Sequence, residues 1–158
     1  QWRVYQEIIE SIRGDRPLRR MVQASAGTGK SFLLATVFLW CLVHKKKTKA
    51  ACPTGIVVAN IEIQRTGVSA VTLHNLFDLD GDYASKIDYS KVNNVKTADL
   101  LSLEVPLLDE VSMMDTQCWN AVSSLLSTAD HSRRPDDIVV DCFGSVHILL
   151  FGDLKRPP

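Results

Sequence analysis

A loop near the start of the chain combines the residue types that bind phosphate groups. The segment "QASAGTGKSFLL", Gln23 to Leu34, places Gly27 and Gly29 before a lysine and a serine. These glycines let backbone N–H groups turn toward phosphate oxygens, and the start of the next helix adds its positive end. Lys30 would reach the β- and γ-phosphates, and the Ser31 hydroxyl would coordinate Mg²⁺. The pattern predicts a nucleotide site formed by Ala24, Ser25, Ala26, Gly27, Thr28, Gly29, Lys30 and Ser31.

One position of this loop departs from the usual pattern G-x-x-x-x-G-K-[ST], because Ala24 stands where the first glycine is expected. A Cβ at that position would cost about 1–2 kcal/mol if its φ were positive. The position lies at the end of a predicted strand, before the tight turn begins. We therefore expect a negative φ at Ala24 and no loss of the site.

Acidic residues follow two apolar segments later in the chain. In "LLDE", Asp109 is placed to hold Mg²⁺ opposite Ser31, and Glu110 to polarise a water molecule. In "FGD", Asp153 is placed where a γ-phosphate could be sensed, although a helix N-cap explains this residue equally well. Together with the glycine loop, these carboxylates predict ATP and Mg²⁺ as cofactors.

The segments around these residues alternate between strand and helix patterns, which predicts an α/β fold with a mostly parallel sheet covered on both faces. A first helix carries an apolar stripe from Trp2 to Ile12 and ends at Gly14. The next predicted elements are the strand "LRRMVQA", the helix "SFLLATVFLWCLVHKKK", the strand "KTKAAC" and the turn and helix "PTGIVVANIEIQ". They are followed by the short element "SAVTLHNLF", the strand "LEVPLLDE" and a helix with one apolar face formed by Met114, Cys118, Val122, Leu125, Leu126 and Ala129. The last two are the loop "HSRRPDDIVVDCFGS" and the strand "VHILLFGD".

Two of these segments have unusual features. The polar stretch from Asp78 to Asp99 has little periodicity, so a long surface excursion is expected there. Pro106 lies inside a predicted strand and is unusual for a central position in a sheet, because it cannot donate a hydrogen bond.

Composition limits the classes of protein to consider. The 158 residues are enough for one domain, and 18 basic residues balance 18 acidic ones, so nucleic-acid binding would depend on local surfaces. The longest apolar run, Phe32 to Val43, is too short to span a membrane. No Cys/His pattern typical of a metal site occurs, and buried thiols in a reducing compartment are expected for Cys41, Cys52, Cys118 and Cys142.

Five segments occur in the order and roughly the spacing of one helicase family. They are "ASAGTGKSFLL", "CPTGIVVANI", "VTLHNLF", "LLDEVSMMD" and "FGDLKRPP". From about Gln1 to Pro158 the chain resembles the first motor domain of the petite integration frequency (PIF) helicases, superfamily 1 DNA helicases that move 5′ to 3′. The resemblance implies an N-terminal, ATP-binding, RecA-like domain of the P-loop NTPase type, with three α/β/α layers.

The resemblance also implies roles for individual residues. Gln1 is similar to the glutamine that reads adenine, with Gln6 as the alternative. Lys30 and Glu110 would be catalytic, Ser31 and Asp109 would hold the metal, and Asp153 would contact the nucleotide. The segments "PTG" and "TLHNLF" resemble those that line the path of single-stranded DNA, which gives the DNA-contact candidates Thr54, Gly55, Thr72 and His74.

The chain departs from the family pattern near its end. The pattern G-D-x-x-Q-L-P-P is replaced by Gly152–Pro158, which lacks the glutamine and is one residue shorter; Arg156 would bring a charge rather than an amide. The family's second motor domain is not in this sequence, so we expect a fragment or a degenerate product whose own turnover is weak. A monomer, no membrane association and a nuclear or mitochondrial location are the remaining expectations from the family.

Three functions remain open at this point. The first is the motor domain of a DNA helicase, active in an intact parent in genome maintenance such as recombination, repair and telomere upkeep. The second is a remnant that binds nucleotide without hydrolysing it. The third is a P-loop phosphotransferase, which the segments "TLHNLF" and "DEVSMMD" argue against.

Overall fold

The computed structural model describes residues 1–14, 16–54, 62–63, 68–82, 84, 95–133 and 142–154. In chain order the elements are α1 (Trp2–Arg13), β1 (Arg19–Gln23), α2 (Lys30–Val43), β2 (Thr48–Cys52), β3 (Glu62–Ile63), β4 (Val68–Ser69), β5 (Val71–Thr72), α3 (Leu73–Phe77), α4 (Val95–Ser102), β6 (Val105–Leu108), a 3₁₀ helix (Val111–Met113), α5 (Thr116–Arg133) and β7 (Ile148–Gly152).

Five strands form a parallel sheet in the order β1-β7-β6-β2-β5. The two-residue strands β3 and β4 pair antiparallel with each other. A parallel neighbour can be reached only through a crossover connection, and the helices supply these connections. The sheet confirms the α/β fold predicted from alternating strand and helix patterns.

Buried apolar side chains form one cluster on each face of this sheet. Leu107 and Leu149 pack with residues of α1 and α2, whereas Leu108 and Ile148 pack with residues of α3, α4 and α5. Successive side chains of a strand point to opposite faces, so each central strand contributes to both clusters. The result is the three-layer arrangement expected from the sequence.

The central strands are apolar along their whole length because both of their faces are covered. All four residues of β6 are buried, including Pro106, and β6 lies between β7 and β2. Pro106 pairs with Lys49 of β2, and the pairing with β7 begins only at Leu107. The proline, which has no N–H, therefore lies just before the residues of β6 that pair with β7. This is why β6 can occupy a central position although a proline usually disfavours one.

Four sequence-based boundaries are wrong where the structure describes them. Helix α2, expected to run to Lys47, ends at Val43. Glu62 and Ile63 form a strand, although the helix expected from "PTGIVVANIEIQ" would include them; residues 55–61 and 64 of that helix lie outside the described residues. The expected excursion is interrupted by α4, which begins at Val95 and buries Leu100. Helix α5 continues to Arg133, inside the expected loop. The differences at β3 and α4 involve contacts outside the segment concerned, because β3 pairs with β4 and Leu100 packs in the cluster that contains residues of α5.

Among the helices of the described residues, none is both long and apolar enough to cross a bilayer. The four cysteines are free thiols, and three of them, Cys41, Cys52 and Cys118, are buried as expected. Cys142 is exposed, which corrects the expectation for that residue. It lies in the turn that leads to β7, outside the two apolar clusters.

The exposed cysteine should react faster with thiol reagents than the three buried ones. Burial raises the pKa of Cys41 to about 12 and the pKa values of Cys52 and Cys118 to about 11, so little thiolate is available at these sites. We expect one thiol per chain to react quickly with an aromatic disulfide reagent at pH 8. The Cys142→Ser variant should show no fast phase, whereas Cys118→Ser should keep it. Two or more fast thiols in the folded protein would contradict the burial described here.

Candidate nucleotide-binding site

The predicted site residues follow three neighbouring strands. Gln23 of β1 pairs with Gly152 of β7, and Leu108 of β6 pairs with Leu150 of β7. Because these strands are parallel, their carboxyl ends meet at one edge of the sheet, which is where open α/β sheets bind ligands. The segments that leave this edge begin with Ala24, Asp109 and Asp153.

The glycine loop has the backbone conformation that its residues predict. Gly27 has a φ of 76° and Gly29 a φ of 86°, values that residues with a Cβ rarely adopt. No atom lies within 4 Å of a Cβ placed on Gly27, so the backbone torsion rather than crowding requires glycine there. Ala24 is not among the residues with positive φ, and its N–H donates to the carbonyl of Gly152 at 3.2 Å. The expectation that alanine is compatible with this position is confirmed.

Lys30 is the first residue of α2, and its ammonium lies within the curve of the loop. Its Nζ donates to the carbonyl oxygens of Ala24 at 2.7 Å and Ser25 at 3.1 Å. The Thr28 hydroxyl donates to the same Ser25 carbonyl at 2.7 Å and closes the turn. The first turn of α2 contains no acidic residue, so the positive end of the helix is not neutralised by its own side chains.

Asp109 follows the central strand β6 and is only 3% exposed. Its N–H donates to the carbonyl of Ala51 on β2 at 2.9 Å, and its Oδ1 accepts from the N–H of Glu110 at 2.9 Å. Burial raises the pKa of this carboxyl, while the charge of Lys30 acts in the opposite direction. A carboxylate in this position has lost most of its hydration, so a bound cation would stabilise its charged form.

Glu110 has a left-handed backbone, with φ 50° and ψ 41°. The chain turns there into the 3₁₀ helix, in which the N–H of Met113 donates to the Glu110 carbonyl at 2.9 Å. The side chain is half-buried, in contrast to that of its neighbour Asp109. The turn therefore gives two adjacent carboxylates different surroundings, one enclosed and one open to solvent.

Two further predicted residues lie near the loop. Asp153 directly follows β7, between the ends of β1 and β6, and is 7% exposed. The side-chain amide of Gln1 donates to the carbonyl of Thr28 and covers Gly29, where it occupies the place that a Cβ would need. The start of α1 is thus connected directly to the loop.

The whole chain matches one family profile, described as PIF1-like helicase, over residues 1–158. The chain belongs to the PIF1-like helicase family. This confirms the family resemblance drawn from the five sequence segments. No curated protein matches the chain.

This PIF1-like chain is also similar to solved structures of Pif1 proteins. One is Pif1 from Bacteroides sp. in complex with ADP-AlF4, with 26% identity and a TM-score of 0.71. A second is Bacteroides Pif1 bound to single-stranded DNA, with 25% identity and a TM-score of 0.68. The Pif1 helicase of Candida albicans, at 23% identity and a TM-score of 0.67, shares the fold. Each comparison covers 98% of this chain and 32% of the other, so the chain spans about a third of the length of these proteins.

The DNA-contact candidates of the PIF1-like chain lie farther along the same edge. Thr54 follows β2, and Thr72 ends the neighbouring strand β5, where its Oγ1 accepts from the N–H of Asn75 at 3.1 Å. His74 lies in the first turn of α3 and is partly buried. Gly55 lies outside the described residues. Thr72 pairs with Cys52, two residues before Thr54, and the role of these residues in DNA binding stays a prediction.

Sequence reasoning missed two features of this site. Asp115 ends the segment "LLDEVSMMD", and its Oδ1 accepts from the N–H of Cys118 at 2.7 Å, so the residue caps α5. An aspartate three residues before a helical position was the available signal. Phe32, on the other hand, was treated as part of an apolar helix although it is 71% exposed.

The described residues contain no group of three or more His, Cys, Asp or Glu side chains able to hold a metal.

Proposed function

We propose that this chain is the ATP-binding motor domain of a PIF1-like DNA helicase and that it hydrolyses ATP. The observation that carries the proposal is the meeting of the glycine loop, the buried Asp109 and the more open Glu110 at one edge of the sheet. The complex of Bacteroides Pif1 with ADP-AlF4 supports nucleotide binding by a domain of this fold.

The loop supplies the contacts that a triphosphate needs. Backbone N–H groups around Gly27 and Gly29, together with the start of α2, favour bound phosphate oxygens. Lys30 donates to two loop carbonyls, and it would exchange these for the β- and γ-phosphates when nucleotide binds. In the mechanism, Lys30 would hold the negatively charged phosphates in a fixed position.

Mg²⁺ fits the donors at this edge, because hydroxyl and carboxylate oxygens are the ligands it prefers. Ser31 and Asp109 are the residues that would hold it, and the enclosed Asp109 has little other solvation to lose. When bound, the ion would neutralise charge on the β- and γ-phosphates.

Glu110 is the residue proposed to act on water. A carboxylate within reach of both solvent and the γ-phosphate can accept a proton from the attacking water molecule. The half-buried side chain of Glu110 satisfies the first condition, and its place next to Asp109 supports the second. Asp153 follows β7, the strand between β1 and β6, and would respond to the presence of the γ-phosphate.

Single-stranded DNA is the proposed partner. Bacteroides Pif1 has been solved bound to it, and Thr54, Thr72 and His74 are the candidates for contact in this chain. Travel from 5′ to 3′, a part in repair, recombination or telomere upkeep, and a nuclear or mitochondrial location belong to the same proposal and rest on family membership.

A single-turnover assay tests the proposal. With protein in excess over γ-labelled ATP and with Mg²⁺ present, we expect release of inorganic phosphate that single-stranded DNA accelerates and that EDTA abolishes. An excess of protein allows a single slow turnover to be measured. Nucleotide binding without phosphate release above the Glu110→Gln background would instead support the non-hydrolysing remnant.

A further inference from the structure

Gly152 ends the strand β7 and contacts the phosphate loop through its backbone. It pairs with Gln23 of β1, and its carbonyl accepts from the N–H of Ala24, the first residue of the loop, at 3.2 Å. Gly152 is buried, and β7 lies between β1 and β6. The start of the phosphate loop is therefore held to the end of β7.

The Cα of Gly152 faces the 3₁₀ helix. A Cβ built on it would lie 3.1 Å from Cγ2 of Val111 and 3.4 Å from the backbone nitrogens of Val111 and Ser112. Carbon atoms in contact are normally about 3.5–4.0 Å apart, so the methyl group of Val111 would have to move by a few tenths of an ångström. Gly152 is not among the residues with positive φ. The close approach of the 3₁₀ helix, rather than a backbone torsion, therefore requires glycine at this position.

This contact lies next to the residue proposed to act on water. Val111 directly follows Glu110, and the carbonyl of Glu110 accepts from the N–H of Met113 within the 3₁₀ helix at 2.9 Å. Glu110 and the 3₁₀ helix are therefore expected to move together. Asp109 is held separately, because its N–H donates to the carbonyl of Ala51 on β2 at 2.9 Å. A displaced Val111 would thus shift Glu110 relative to the loop while Asp109 keeps its place.

We propose that Gly152 is a positioning residue for Glu110. Its carbonyl fixes the start of the phosphate loop, and its lack of a side chain lets the 3₁₀ helix lie directly against β7. The backbone of one residue thereby sets the distance between the Glu110 carboxylate and the bound phosphates. The inference rests on the proposed function, since it concerns the step in which Glu110 accepts a proton from water.

Phosphate release in a single turnover and affinity for ADP with Mg²⁺, both measured on the full chain, test this role. A misplacement of about 1 Å can cost about 10²-fold in rate, so for Gly152→Ala we expect release to slow about 10-fold. Affinity for ADP should stay unchanged, because the carbonyl of residue 152 still accepts from Ala24. A merely structural role of Gly152 would change the melting temperature but not the rate of the folded protein.

Val111→Ala provides the background that identifies the contact, because it lacks the methyl group that the new Cβ would meet. In this background the change Gly152→Ala should slow release little, and the comparison of the four proteins isolates the interaction between the two positions. Gly81→Ala is the matched control, since Gly81 is exposed and among the described residues no atom lies within 4 Å of a Cβ built on it. This variant should keep the wild-type rate and affinity.

Three results would overturn the positioning role alone. They are release at the wild-type rate in Gly152→Ala, a loss of the same size in the Val111→Ala background, and an equal loss of affinity for ADP. A wild-type chain that binds ADP but releases no phosphate from ATP would instead contradict the proposed hydrolysis, and the role of Gly152 with it.

Discussion

Replacing Lys30 with alanine is expected to weaken binding of ATP and ADP about 10- to 100-fold, because hydrogen bonds to a charged group contribute about 1.5–3 kcal/mol each. The free protein should remain folded, since among the described residues the Lys30 ammonium donates to carbonyls of the loop itself, at Ala24 and Ser25. The loop sits at the sheet edge, outside the two buried apolar clusters. Titration calorimetry with ADP and Mg²⁺ measures the affinity, and thermal unfolding in the absence of nucleotide checks the fold.

Lys47→Ala is the matched control for this change. Lys47 has an exposed side chain and precedes β2, at the opposite edge of the sheet from the loop. The two variants have the same net charge, so a purely long-range electrostatic effect would reduce affinity in both. Equal losses of affinity in both variants would show that the Lys30 ammonium makes no specific contact with phosphate.

Replacing Glu110 with glutamine is expected to lower the rate of phosphate release about 10²- to 10⁴-fold, the contribution typical of a positioned general base. Affinity for ATP should change little, because the amide keeps the size of the side chain and Asp109 retains its contact with the N–H of residue 110. Single-turnover release of phosphate and calorimetry on the same preparation measure the two quantities separately. The contrast with Lys30→Ala, which should act first on binding, distinguishes the two roles.

Glu10→Gln provides the corresponding control, since Glu10 is exposed on α1 and its replacement removes the same charge. This variant should hydrolyse ATP at the wild-type rate. A Glu110→Gln variant with wild-type turnover would assign the base to another residue. Parallel losses of binding and turnover would instead indicate that Glu110 shapes the site rather than acting on water.

The sequence predicted most of the structure that lies near the phosphate loop. Strand, glycine loop and helix follow each other within Arg19–Val43, so local spacing contains all the information needed. The acids after β6 and β7 could also be assigned, because unbroken apolar runs indicate strands covered on both faces. Their meeting with the loop then followed from a parallel sheet.

The remaining features depend on contacts between distant parts of the chain. Pro106 is central because its strand pairs with β7 only from Leu107 onward, which no local pattern indicates. Cys142 is exposed although it lies in an apolar stretch, since the turn before β7 leads it away from both clusters. Phe32 is exposed for a related reason: periodicity treats it as one more apolar position of α2, and it does not contain which face of that helix is covered.

The backbone at Glu110 sets the stability of the fold against the presence of a carboxylate at this turn. A residue other than glycine in the left-handed region costs about 1–2 kcal/mol, and asparagine or glycine would adopt that conformation more readily. Either substitution would relieve the strain and raise stability, and would at the same time remove the carboxylate proposed to act on water.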